Sequence, residues 1–140
     1  MSKVVIITTG GTIAMQHDSL TGAAVPAVSG ADLVRAIPGL GSVCDLEVRE
    51  FDNLPSPAIT PDHMFRLAVM VRQYLARDDV SGVVITHGTD SLEESAYFLD
   101  LSLEGHKPVC FTAAMRSGDE LSPDGPRNIL AAVRVAAARP

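Results

Sequence analysis

The stretch Gly82-Val83-Val84-Ile85-Thr86-His87-Gly88-Thr89-Asp90-Ser91-Leu92-Glu93-Glu94 decides the fold of this 140-residue chain. It opens on a short, continuously apolar, β-branched run, the pattern of a strand covered on both faces, and passes into a turn of small polar residues. Ser91-Leu92-Glu93-Glu94 then has the capping-box pattern of a helix start, followed by Ala96, Leu99 and Leu103 at helical spacing. The same succession recurs on either side. Apolar runs at residues 3–8, 44–51 and 108–112 predict three more strands. Ser29 is placed to cap a helix through Ile37, stopped by Pro38-Gly39, and Thr60-Pro61-Asp62 opens one carrying Met64, Leu67, Ala68, Val71 and Leu75. A last helix begins near Gly125-Pro126 and carries Ile129, Ala132, Val133 and Ala136. Strand and helix alternate four times, which predicts a doubly wound α/β domain.

The expected architecture is a flavodoxin-like, mostly parallel sheet with flanking helices, occupying residues 1–140 as one domain. A parallel sheet normally continues with another strand after such a helix, so the domain is expected to be truncated at its C-terminal end. Residues 16–28, rich in Ala, Gly, Thr and Pro, are expected to form a mobile loop or a hairpin.

Composition narrows the function classes. Eleven basic against 17 acidic residues give a net charge of −6, and aromatic residues make up 4% of the chain with no Trp. A nucleic-acid surface needs a basic stripe and stacking rings, so nucleic acid is not an expected partner. No apolar run approaches the roughly 18 residues of a membrane helix, and Val4-Val5-Ile6-Ile7 breaks at once into Thr8-Thr9-Gly10-Gly11, which makes a poor signal peptide. A cytoplasmic protein with no membrane partner is expected. Cys44 and Cys110 lie in strand-like stretches without metal-ligand spacing and read as free thiols.

In open α/β sheets, ligands bind beyond the carboxyl ends of the strands. The segments after the four predicted strands are Thr8-Thr9-Gly10-Gly11-Thr12, Asp52-Asn53-Leu54-Pro55-Ser56-Pro57, His87-Gly88-Thr89-Asp90-Ser91 and Ala113-Ala114-Met115-Arg116. Two of them place Gly immediately before Thr, so backbone can approach a ligand beside a hydroxyl. Neither GxGxxG nor a Gly-Lys-Ser/Thr ending is present, which disfavours a nucleotide.

Thr9-Gly10-Gly11-Thr12-Ile13-Ala14, Thr86-His87-Gly88-Thr89-Asp90-Ser91-Leu92-Glu93-Glu94 and Ala114-Met115-Arg116 with Asp124-Gly125-Pro126 together resemble the bacterial-type L-asparaginase/glutaminase family. The first two are that family's signature segments, and the likeness spans nearly the whole chain as its N-terminal domain. The resemblance implies hydrolysis of L-asparagine to L-aspartate and ammonia, with L-glutamine as a side substrate. It gives Thr12 the role of nucleophile, Thr89 that of the second essential threonine, and Asp90 that of holding the α-ammonium of the substrate. Ser56 would receive the α-carboxylate, the Ala114 carbonyl would approach the substrate amide, and Gly11 and Gly88 would matter as backbone. It implies no metal, no organic cofactor, and a homo-oligomer, dimer or tetramer.

Taken alone, these residues also have structural readings. Thr12 and Thr89 suit turns, Asp90 or Ser91 a helix cap, and Ser56 a Pro-bounded turn. His87 is read as structural, Asp62 and His63 as solvated, and Arg116, Asp119, Glu120 and Asp124 as a charged loop network. The sequence also departs from the family pattern. Ala23-Ala24-Val25 lacks the family Tyr, Pro57 replaces a Gln that donates to the substrate, and Lys3 and Lys107 are the only lysines, neither at the position of the family's proton-handling Lys. The family's C-terminal domain, which supplies an acidic residue to a neighbouring subunit, is not expected within these 140 residues. Two alternatives remain: a non-catalytic small-ligand-binding or interaction domain derived from this fold, and an amidotransferase subunit releasing ammonia from glutamine.

Overall fold

The computed structural model describes residues 3–11, 15–17, 24–26 and 29–138. Its elements run β1 (Lys3–Thr8), β2 (Met15–His17), β3 (Ala24–Pro26), α1 (Gly30–Arg35), β4 (Asp45–Glu50), α2 (Pro61–Leu75), β5 (Val80–Thr86), α3 (Leu92–Ser102), β6 (Val109–Thr112) and α4 (Gly125–Ala137). All four expected strands and all four expected helices form. The expected loop or hairpin contributes β2 and β3, paired antiparallel as two short limbs.

The main sheet is parallel throughout, in the order β4-β1-β5-β6. The chain therefore steps from β1 to one neighbour, β4, then crosses back over β1 to β5 on its other side. Where the direction of winding reverses, the connections leave on opposite faces and a crevice opens beyond the carboxyl ends of β1 and β5.

Alternation within the central strands builds two cores. Val4, Ile6 and Val84 face α1 and α4, with Ile129, Val133 and Ala136 packed against them. Val5, Ile7, Val83 and Ile85 face α2 and α3, against Leu67, Val71 and Leu99. Both faces are thus covered, which is why β1 and β5 read as uninterrupted apolar runs. Two helix starts are built as local rules dictate. Ser29 accepts the Asp32 N–H, and Thr60 forms a capping box with His63, whose ring nitrogen accepts the Thr60 N–H at 3.2 Å. His63 is therefore a half-buried capping group rather than a solvated side chain.

Ion pairs gather at the amino-terminal end of the sheet and along β4. Arg77 bridges Glu47 at 3.0 Å and Asp79 at 2.8 Å, and Lys3 reaches Asp79 at 2.9 Å. The guanidinium of Arg77 and the ammonium of Lys3 hold the Asp79 carboxyl well below the usual carboxylate range. Lys107 donates to the carbonyls of Leu75 and Arg77 at 2.8 and 2.6 Å. Both lysines of the chain are thereby committed at the edge opposite the crevice.

Cys44 and Cys110 are free thiols whose pKa values burial pushes up. Among the described residues no helix is long and apolar enough to cross a membrane, and no cluster of three or more His, Cys, Asp or Glu is placed to hold a metal ion.

Candidate active site

Three turns interlock at the carboxyl edge. The last ladder pair of β1 and β5 is Thr8 opposite Thr86. One residue further on, the Thr9 N–H and hydroxyl both donate to the Thr86 carbonyl, at 3.2 and 3.0 Å. The Leu54 N–H donates to the Thr9 carbonyl at 3.0 Å, tying in the turn after β4. Gly11 has φ +83°, and a Cβ on it would lie 2.6 Å from the Gly88 nitrogen. A Cβ on Gly88 would in turn lie 2.5 Å from the Ser56 hydroxyl oxygen. The absence of two side chains lets the backbone after β1 stack on the backbone after β5, and lets the Ser56 side chain from the turn after β4 pack directly on Gly88.

This stacking brings Ser56 to Asp90. The buried Ser56 hydroxyl donates to the Asp90 carboxylate at 2.9 Å and accepts the Asp90 N–H at 3.1 Å, across 34 residues of sequence. The Ser91 hydroxyl donates to the Ser56 carbonyl at 2.7 Å. Asp90 and Thr89 are exposed at the lip of the crevice. A hydroxyl donor and a carboxylate held side by side suit an α-amino acid head group, the hydroxyl meeting its carboxylate and Asp90 its ammonium.

Ser91 precedes α3, as expected, but the capping box does not form. Its backbone, at φ −130° and ψ 24°, is not in the extended conformation of a capping residue, so its side chain makes no cap hydrogen bond to the helix, and its hydroxyl donates to the Ser56 carbonyl. Asp90 likewise serves Ser56 rather than the helix end.

Beneath the turn lies His87, fully buried. Its Nδ1 is 2.8 Å from the Gly88 carbonyl and its Nε2 2.9 Å from the Ser95 hydroxyl. A carbonyl only accepts, so Nδ1 carries the proton, and burial, lowering the His87 pKa, keeps the ring neutral with Nε2 as acceptor from Ser95. In a trans peptide the carbonyl and the following N–H point opposite ways, so fixing the Gly88 carbonyl also fixes the direction of the Thr89 N–H. The structural reading of His87 agrees with this geometry. Ser95 had a legible signal, a hydroxyl one helical turn before the buried Leu99 that needs a buried partner.

His87 also makes stability depend on pH. Its folded pKa lies below the ordinary value of 6.5, so the unfolded chain takes up the proton more readily. The stabilisation is complete above pH 6.5 and is lost as pH falls toward the folded value. We expect the urea midpoint to drop between pH 7 and pH 5, and His87→Asn, although less stable at pH 7, to show a shallower slope. Equal slopes would remove His87 as the cause. Asp124 acts in a lower window, since the Arg116 and Met115 N–H groups hold its carboxyl below 3.8.

Of the remaining expected site residues, Ala114 lies past the end of β6 with its side chain in the core beside α1 and α4. Thr12 lies outside the described residues. The charged segment after β6 is a loop network centred on Asp124, which accepts the Met115 and Arg116 N–H groups at 3.1 and 3.0 Å. A cavity of about 240 Å³ lined by Thr8, Gly10, Glu50 and Asn53 adjoins the turn after β1. Another of about 670 Å³ runs between α3 and β6 and borders none of the converging turns.

The family model described as Asparaginase, N-terminal matches residues 3–140. The chain belongs to the asparaginase family. It is 38% identical over 141 residues to L-asparaginase 2 of Bacillus subtilis, covering 99% of this chain and 38% of that protein. A probable L-asparaginase of Deinococcus radiodurans is 43% identical over 140 residues, covering 97% and 40% respectively. The crystal structure of a probable cytoplasmic L-asparaginase from Campylobacter jejuni superposes with a TM-score of 0.89 at 34% identity, over 99% of this chain and 41% of that one. The chain spans about two fifths of the length of these asparaginase relatives.

Proposed function

We propose that this protein is an amidohydrolase of the L-asparaginase type, in which residues 1–140 form the N-terminal α/β domain. The observation that carries the reading is the convergence of Gly11, Gly88, Ser56 and Asp90 at the switch point of the sheet. The Ser56 hydroxyl and the Asp90 carboxylate satisfy each other. A bound L-asparagine replaces that mutual bond with two charge-assisted ones: its ammonium to Asp90 and its α-carboxylate to the Ser56 hydroxyl. The head group is thereby oriented so that the side-chain amide extends toward Thr89 and the turn after β1.

In the proposed chemistry the Thr12 hydroxyl oxygen attacks the amide carbon, its proton is delivered to the leaving nitrogen, and ammonia departs from an ester on Thr12. Water then adds to the ester, aspartate is released and the hydroxyl is regenerated. The fixed Thr89 N–H and the backbone approach permitted by Gly11 support charge on the reacting oxygen. The Ala114 carbonyl is assigned to the substrate amide nitrogen. L-glutamine turnover as a side reaction and assembly as a homo-oligomer belong to the same proposal.

The test is ammonia release from L-asparagine and L-glutamine by the protein expressed from its complete reading frame, alongside calorimetry with L-aspartate. Turnover of asparagine with aspartate binding is the expected result. Binding of aspartate without ammonia release would make the protein a ligand-binding relative of the enzyme. Activity on glutamine alone, dependent on a partner subunit, would make it an amidotransferase component.

A further inference from the structure

We infer that Ser91 is a positioning residue for amino-acid recognition, acting through Ser56; the inference rests on the asparaginase reading above. Its hydroxyl is where a helix cap belongs, yet it makes no cap bond and instead donates to the Ser56 carbonyl, 35 positions away in sequence, at 2.7 Å. The adjacent residue, Asp90, grips the other end of the same serine by accepting from its hydroxyl at 2.9 Å and donating its N–H to that oxygen at 3.1 Å. Two consecutive residues thus hold Ser56 by both its main-chain carbonyl and its side chain.

The arrangement has a mechanical consequence. Ser56 stands between Pro55 and Pro57 at the start of a short 3-10 turn, Ser56–Ala58, so this turn moves as a stiff piece rather than residue by residue. Ser91 is the N-cap of α3, which packs through Leu99 into the core. The Ser91 to Ser56 bond therefore sets the distance between the stiff turn and the helix, and with it the separation of the Ser56 hydroxyl from the Asp90 carboxylate. That separation is the spacing on which an α-carboxylate and an α-ammonium are read. A hydroxyl is required at position 91, and threonine supplies one equally well.

Losing the bond does not orphan the Ser56 carbonyl, because the Ile59 N–H also donates to it at 3.0 Å. Ser91→Ala is therefore expected to fold. The experiment compares wild type, Ser91→Ala, Ser91→Thr and Ser81→Ala in the protein from its complete reading frame. Ser81 is a control at the opposite edge, whose hydroxyl donates to the Lys3 carbonyl at 3.1 Å.

For Ser91→Ala we expect the KM for L-asparagine to rise about 5- to 10-fold, the effect of one net hydrogen bond, with kcat within about 3-fold of wild type. Amide exchange at Asp90 is expected to speed up by a similar factor. Ser91→Thr should restore both, and Ser81→Ala should change neither. An unchanged KM in Ser91→Ala overturns the inference, including the case where Asp90 exchange accelerates, since the bond would then be merely structural. A fall in kcat with unchanged KM also overturns it. Absence of turnover in wild type overturns the asparaginase reading itself, which is a distinct result from an active wild type with an indifferent Ser91→Ala.

Discussion

Replacing Thr12 with alanine is expected to lower asparagine hydrolysis by at least about 10³-fold while leaving aspartate binding within a few-fold of wild type. The two halves of that expectation have separate physical sources. Removing the hydroxyl removes the atom proposed to form the acyl bond, and no neighbouring residue in the sequence supplies another hydroxyl, since Gly10 and Gly11 precede it and Ile13 and Ala14 follow. In the proposed site binding rests on other groups, the Ser56 hydroxyl and the Asp90 carboxylate, which hold each other through hydrogen bonds of their own. Thr12→Ser should retain part of the rate because the hydroxyl persists. The measurement is ammonia release paired with calorimetric titration of L-aspartate. Wild-type activity in Thr12→Ala would remove Thr12 as the nucleophile and with it the acyl-enzyme route.

Gly11→Ala is expected to cost the fold about 2–5 kcal/mol, together with activity. Two costs add. At φ +83° an L side chain is strained whatever space surrounds it. The new Cβ would also meet the Gly88 nitrogen at 2.6 Å and the Gly88 Cα at 2.7 Å, and these are backbone atoms that no rotamer change moves aside. Relief requires the segments after β1 and β5 to part, which separates Gly88 from Ser56 and disturbs the Ser56–Asp90 pair. A matched comparison is Gly41→Ala, where a Cβ meets nothing within 4 Å, and whose stability should stay within about 0.5 kcal/mol of wild type. Urea denaturation of both variants tests the point. A Gly11→Ala protein as stable as Gly41→Ala would show that the close approach of the two turns is dispensable.

Much of the architecture was legible before any coordinates because local rules and burial agree. Val4 to Ile7 and Val83 to Ile85 are apolar at every position since both faces of the sheet are covered, and a strand of that kind cannot be mistaken for an amphipathic surface element. Ser29 and Thr60 cap α1 and α2 as their sequence contexts require, because the extended backbone at each turns the side-chain oxygen toward the helix N–H groups. The limits of local reasoning show at Ser91 and His63. The Ser-x-x-Glu pattern at residues 91–94 satisfies the capping-box rule, yet the Ser56 carbonyl captures the hydroxyl. At His63 the opposite occurred: a residue with no distinctive capping signature completes the box at Thr60.

For this protein, then, sequence alone determined the order of strands and helices, the two Gly-Thr turns, the resemblance to the asparaginase family and the identity of the polar residues beyond the strands. These are properties of short segments, set by hydrophobic period, backbone freedom and residue chemistry. The strand order β4-β1-β5-β6, the pairing of Ser56 with Asp90 and the contact of buried His87 with the Ser95 hydroxyl of α3 were decided only in the tertiary structure. Each joins residues from different segments or different neighbours in space, and a hydrogen bond has no signature in sequence until packing has set its two ends about 3 Å apart.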